Sequence, residues 1–168
     1  MTKSRKFIPM RSKRVLAIDP GFDRLGLAIL ERNTLLHSEC IVTKPKDSHD
    51  KRLLVIGEKL RETIEKWQPK ELAIETLFFN QNTTSALKVA EARGVALYEA
   101  ARAGLSVFEY SPQAIKIAVT GYGKADKIQV GMMVKRLVQL PLKDRKMLDD
   151  ELDAIALGIT HLATRRSI

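Results

Sequence analysis

Three acidic residues stand where an apolar core would ordinarily exclude them. Asp19 closes the run Val15-Leu16-Ala17-Ile18 and is followed by Pro20-Gly21. Glu75 closes Leu72-Ala73-Ile74. Asp153 interrupts the apolar stretch from Leu152 to Ile159, with Asp150 one helical turn before it. A carboxylate beside a core is costly unless it is paired or holds a cation. Several brought together make a hard-oxygen site suited to Mg²⁺ or Mn²⁺. The chain as a whole is basic, with a net charge of +9. An acidic pocket in a basic protein points to metal-assisted chemistry on a polyanion.

Each carboxylate also has a plainer reading. Asp19 suits a turn before Pro-Gly, Glu75 a solvated strand end, and Asp149 the N-cap of a helix. One shared site accounts for Asp19, Glu75 and Asp153 better than three separate accidents. Asp150 and Asp153 share a helix face at i, i+3, and Asp149 and Asp153 share one at i, i+4. Spacing does not choose between Asp149 and Asp150. Lys116, Lys124 and Lys127 flank Gly121-Tyr122-Gly123 and suit phosphate contact, or else belong to a solvated loop. Phe78 and Phe79 follow the Glu75 run in a polar setting. One of them suits stacking on an unpaired base, unless both pack in the core. His37, His49 and His161 lack metal-ligand spacing, and His161 is expected to cap or pack at a helix end.

The elements that must position these residues follow from periodicity. Strands are expected over 14–18, 25–30 and 35–42, close enough for an antiparallel meander. A helix follows from about Ser48 to Trp67, its apolar residues at helical spacing, stopped by Gln68-Pro69. A strand over 72–75, an Ala-rich helix over 84–103 and a strand over 105–110 come next. Ser111-Pro112 opens a helix that Gly121 ends. Helices over 126–140 and 149–164 complete the chain. Meander strands followed by alternating strands and helices predict an α/β fold, a mixed five-stranded sheet with helices on both faces. This order resembles the ribonuclease H-like arrangement, in which the first and fourth strands are neighbours and Asp19 and Glu75 would converge.

Composition sets the bounds. The 168 residues suit one domain with a good core. No apolar stretch reaches the roughly 20 residues that cross a bilayer, and no apolar segment follows the basic N-terminus as in a secretory signal. Cys40 is the single cysteine, so an intrachain disulfide is excluded. A cytoplasmic setting is expected. Six basic residues and no acid lie in residues 1 to 14, and removing them from the total leaves +3. Residues 1–13 are therefore expected to be a flexible basic tail on a single domain over 14–168, suited to phosphate contact or solubility, or an extension upstream of a start at Met10.

Several segments resemble the RuvC family of Holliday-junction resolvases. They are Ala17-Ile18-Asp19-Pro20-Gly21, Ala73-Ile74-Glu75 through Phe78 and Asn82 to Ser85-Ala86-Leu87-Lys88, and Ala92-Arg93-Gly94-Val95-Ala96. Val107-Phe108-Glu109-Tyr110, Gly121 to Lys127, Asp150-Glu151-Leu152-Asp153-Ala154 and Ile159-Thr160-His161 continue the match in order, from about Arg14 to His161. The resemblance implies metal-binding carboxylates at Asp19, Glu75, Asp150 and Asp153, and so prefers Asp150 to Asp149. Some members carry His at that position. It also implies a base-stacking Phe78, DNA-contacting Lys116 and Lys127, and a branch-migration complex as partner. Thr76 departs from the family pattern.

The expected activity is Mg²⁺-dependent hydrolysis of four-way DNA junctions, with two ions per site and Mn²⁺ as substitute. Asp19, on the central strand, is the expected bridging ligand. Without metal the carboxylates should repel one another and at least one should take up a proton. Symmetric nicking of a two-fold junction by one site per chain implies a homodimer, with the Ala-rich helix as candidate interface. Two alternatives share the fold: a non-catalytic junction-binding module, and a nuclease acting on RNA or RNA–DNA hybrids. A phosphotransferase reading of Asp-Pro-Gly fails because such folds need two domains and a second phosphate loop.

Overall fold

A computed structural model describes residues 14–77, 83–139 and 146–166. The expected basic tail, Phe78, Phe79 and Asn82 lie outside the described residues. The strands are β1 (Val15–Asp19), β2 (Arg24–Glu31), β3 (Thr34–Val42), β4 (Glu71–Glu75) and β5 (Ser106–Tyr110). The helices are α1 (His49–Trp67), α2 (Thr83–Arg102), α3 (Pro112–Thr120), α4 (Lys127–Leu137) and α5 (Asp149–Arg166). They form one five-stranded sheet in the order β3-β2-β1-β4-β5. The first three strands are an antiparallel meander, and β4 and β5 add in parallel beside β1. This is the expected ribonuclease H-like mixed sheet.

Both faces of the sheet are covered, so its central strands are apolar on both sides. Leu16, Ile18, Leu27, Ile29, Leu72 and Ile74 face one way, against Ile56 and Leu60 of α1 and Ala92, Ala96 and Ala100 of α2. Val15, Ala17, Ala28, Leu30 and Ala73 face the other way, against α3, α4 and α5. Side chains alternate along a strand. Asp19 therefore follows Val15 and Ala17 onto the α5 face, and Glu75 follows Ala73.

Two glycines let α5 lie close to the sheet. A Cβ on Gly158 would fall 2.3 Å from Leu30 Cδ1, and one on Gly26 would fall 1.9 Å from the Asp150 carbonyl oxygen. The second contact seats the start of α5 against β2, directly beside the Asp19–Gly26 pair of the β1–β2 ladder.

Local signals set the helix ends. Ser111 Oγ accepts from the Ala114 amide, with Pro112 at the first helical position, and Gly121 ends α3 in a left-handed conformation. Asp126 and Gln129 form a capping box at the start of α4. α4 stops at Leu137, short of the expected Leu140, because the chain turns to pair with the sheet edge. Gln139 N donates to Asn33 O at 3.0 Å, and Gln139 O accepts from Leu35 N at 3.2 Å.

Candidate active site

Parallel neighbours end at the same edge of a sheet, so β1 and β4 bring Asp19 and Glu75 together. α5 crosses the same edge and adds Asp153. The three carboxylates line one cavity of about 320 Å³, with Lys116 of α3 and Lys127 of α4 on its walls and Ile115, Val130 and Ala156 beneath. The apolar floor makes the charges costly. Burial is the largest cause raising the Asp19 carboxyl to about 8, and the charges of Glu75, Asp153 and Asp150 raise it further, against Lys127. Burial also raises Glu75, with Asp153 adding to the shift and Lys127 and Lys116 opposing it. Asp153 is raised by burial and held back by Lys127, whose Nζ lies 3.4 Å from Asp153 Oδ2.

This donor set fits a divalent cation. It offers hard oxygens only, and its destabilisation, by burial first and mutual repulsion second, is of the kind that a cation relieves. Among the described residues, no three carboxylate, histidine or cysteine side chains already stand grouped as a metal ion would need them. The walls are shared, but Lys127 supplies the countercharge and one expected member is turned aside. Asp150 does not line the cavity. Its Oδ2 is 2.5 Å from Arg24 Nη2 and 3.8 Å from Cys40 Sγ. Asp149 is exposed in the first turn of α5 and does not line the cavity.

The family model for crossover junction endodeoxyribonuclease RuvC matches residues 15–161. The chain belongs to the RuvC family. It is 41% identical over 157 residues to the crossover junction endodeoxyribonuclease RuvC of Petrotoga mobilis, covering 91% of this chain and 95% of that one. It superposes with a TM-score of 0.85 on Thermus thermophilus RuvC, solved in complex with a Holliday junction substrate, at 32% identity over 92% of this chain and 96% of that one. The yeast mitochondrial Holliday junction resolvase Ydc2 shares the fold, with a TM-score of 0.66 at 15% identity over 90% of this chain and 78% of that one.

Within this RuvC-family site, the sequence-predicted residues fall into groups. Asp19, Glu75 and Asp153 meet in the cavity, and Lys116 and Lys127 stand on its walls. Lys124 is exposed outside it, in the loop after α3. Asp150 stands at the rim. Phe78 lies outside the described residues.

Three supporting residues carry no sequence signal that singles them out. Arg24 and Cys40 hold Asp150. Arg93 donates from Nε to the Glu75 carbonyl at 3.3 Å and pairs through Nη2 with Glu109 at 2.7 Å, which fixes the end of β4. His161 was expected at a helix end. It is fully buried in α5, bonded to Glu71 and Tyr110, because α5 crosses β4 and sinks this position into the core.

Proposed function

We propose that this RuvC-family chain is a divalent-metal-dependent endonuclease that resolves four-way DNA junctions by nicking two strands symmetrically, in recombination and repair. The observation that carries the reading is the cavity itself: three destabilised carboxylates on the sheet edge, under two lysines, in a basic protein. Asp19, Glu75 and Asp153 would hold the metal, with Asp19 central because β1 lies between the other elements. Asp150 would join from the rim, where Arg24 holds it. When bound, Mg²⁺ or Mn²⁺ supplies an activated water and stabilises charge on the attacked and leaving oxygens; two ions per site is the reading we favour.

The chain's own residues do the rest. Lys116 and Lys127 draw a backbone phosphate onto the carboxylates, and Lys124 adds a contact from the loop. Ile115, Val130 and Ala156 keep the cavity floor dry, which strengthens each charge interaction. Phe78, three residues after Glu75, is read as the ring that stacks on a base freed at the junction centre. The homodimer is supported by Leu87 and Tyr98, exposed on α2 at 61% and 63%. Residues 14–168 act as the nuclease domain and the tail adds nonspecific phosphate affinity. A branch-migration complex is the expected partner assembly in the cytoplasm. No described helix is long and apolar enough to cross a membrane.

The test is cleavage of a synthetic four-way junction, the matching duplex and an RNA–DNA hybrid, each with and without Mg²⁺. Metal-dependent, paired nicks in the junction alone are expected. Junction binding without cleavage at any metal concentration would make the chain a binding module. Preference for the hybrid would make it a different nuclease.

A further inference from the structure

A second groove, of about 250 Å³, opens beside the candidate cavity between α4 and the start of α5. The two share Lys127 and Asp153, so the groove begins where the cavity ends. Its α4 wall is Ile128, Gly131, Met132 and Lys135, one face of the helix at helical spacing, and Leu152 lies opposite. Ile128 is 74% exposed and Met132 53%. The core uses a different face of α4, through Val130 and Val134.

Gly131 is the informative residue. It sits inside a helix, where glycine is disfavoured. It is not among the described residues with positive φ. A Cβ there would meet only Leu152 Cδ1, at an ordinary 3.7 Å. Neither backbone conformation nor packing requires a glycine. Its lack of a side chain does keep the groove open.

We propose that this groove is a nucleotide subsite, holding the DNA strand that flanks the cleaved phosphate. Lys135 contacts a backbone phosphate there, and Ile128 and Met132 pack against deoxyribose. The inference rests on the nuclease reading above.

Continuity supports it: a strand with one phosphate on the carboxylates must leave the cavity, and this groove shares two of the cavity's walls. Charge supports it too. Lys127 stands at the near end, and Lys135 lies two turns further along, about 12 Å on a helix. Cations separated by apolar surface match a backbone of phosphates separated by sugars. Asp149 closes the groove at the first turn of α5 and repels phosphate from that side, which directs the strand along α4.

The test uses the full chain and three variants: Gly131→Ala, Gly131→Phe and Lys135→Ala. Junction affinity is measured without divalent metal across a salt series, with thermal melting as the fold control. Gly131→Ala should melt at or above wild type and bind like it. Gly131→Phe should bind the junction about tenfold more weakly. Lys135→Ala should reduce the salt slope by about one phosphate contact. That reduction should vanish on a junction whose phosphates flanking the cut are neutral methylphosphonates.

Wild-type affinity and salt slope in both Gly131→Phe and Lys135→Ala would overturn the subsite. So would unchanged DNA binding with an altered sedimentation coefficient in Gly131→Phe, which would give the groove to a second copy of the chain. If Gly131→Phe fails to fold, Met132→Ser combined with Lys135→Ala takes its place with the same expected weakening. A wild-type chain that neither binds nor cuts junctions would fail the nuclease reading itself, whereas an active wild type with inert variants would fail only the subsite.

Discussion

The two ends of β4 carry the same residue type and opposite electrostatics. Glu71 and Glu75 lie four residues apart on the same face, about 13 Å along a strand. α5 passes over both, and its His161 and Asp153 are eight residues apart, about 12 Å along a helix. One helix therefore answers both glutamates, in opposite ways. At Glu71 it presents His161, whose Nε2 is 2.9 Å from Glu71 Oε2, while the Tyr110 hydroxyl is 2.9 Å from Nδ1. Arg165 approaches the other Glu71 oxygen at 3.6 Å. Burial lowers the His161 pKa, so the ring is neutral, donating to Glu71 and accepting from Tyr110. At Glu75 the same helix presents another carboxylate.

A buried acid answered by its own fold is a structural tie. A half-buried acid answered by more acid is a donor set suited to a cation. This contrast, more than the number of acidic residues, distinguishes the candidate active site from the rest of the molecule.

Exchanging charges at the two ends should give opposite phenotypes. The largest effect is expected for Asp19→Asn, Glu75→Gln and Asp153→Asn. Each should cut junction cleavage by about 10³-fold, the scale on which removal of a preorganised electrostatic partner acts. Each should leave junction binding intact and the metal-free melting temperature unchanged or higher. Near-wild-type cleavage in any one would remove that residue from the site.

His161→Ala should do the reverse. It removes a buried hydrogen-bond partner of Glu71, at about 2–3 kcal/mol of stability by chemical denaturation. Metal binding measured by calorimetry should be preserved. Lost cleavage at full stability would break the comparison.

The two ends should also respond to pH with opposite sign. Asp19 is raised from 3.8 to about 8 in the fold. Its contribution to stability is complete below 3.8 and is lost as pH rises towards 8. Metal-free wild type should therefore lose stability relative to Asp19→Asn across that window, by up to ~1.4 kcal/mol per pH unit. His161 is lowered from 6.5. Its contribution is complete above 6.5 and is lost as pH falls below it. Melting curves of wild type, Asp19→Asn and His161→Ala from pH 4 to 8 separate the two slopes. Parallel curves would sink the assignment.

Smaller effects sharpen the site's border. Asp150→Asn should weaken metal affinity more than Asp149→Asn does, by calorimetry, since Asp150 adjoins the cavity and Asp149 does not. The reverse ranking would exchange the two. Smallest of all, Lys116→Ala should lower the slope of log affinity against log salt by about one phosphate contact.

The sequence by itself determined the elements, the sheet that they form and three of the cavity's carboxylates. Period-two and helical spacings, Ser111-Pro112 and Gly121 are written in neighbouring residues, and the element order leaves few ways to pair the strands. Asp19 and Glu75 were legible as site residues because each closes an apolar run that reads as a strand, and Asp153 because nothing apolar around it could satisfy it.

Only the tertiary structure decided which side chain partners which. Arg24 takes Asp150, Lys127 takes Asp153 and His161 takes Glu71, each pairing residues far apart in the chain. All three depend on how α5 lies across the sheet, which the close contacts at Gly26 and Gly158 determine. The apolar face of α4 was equally out of reach: periodicity marks Ile128 and Met132 as apolar positions, but which side of a helix meets the core is settled by the partners that pack against it. Sequence spacing records local geometry. The balance of charge in a buried site depends on distances that exist only once the helices have docked.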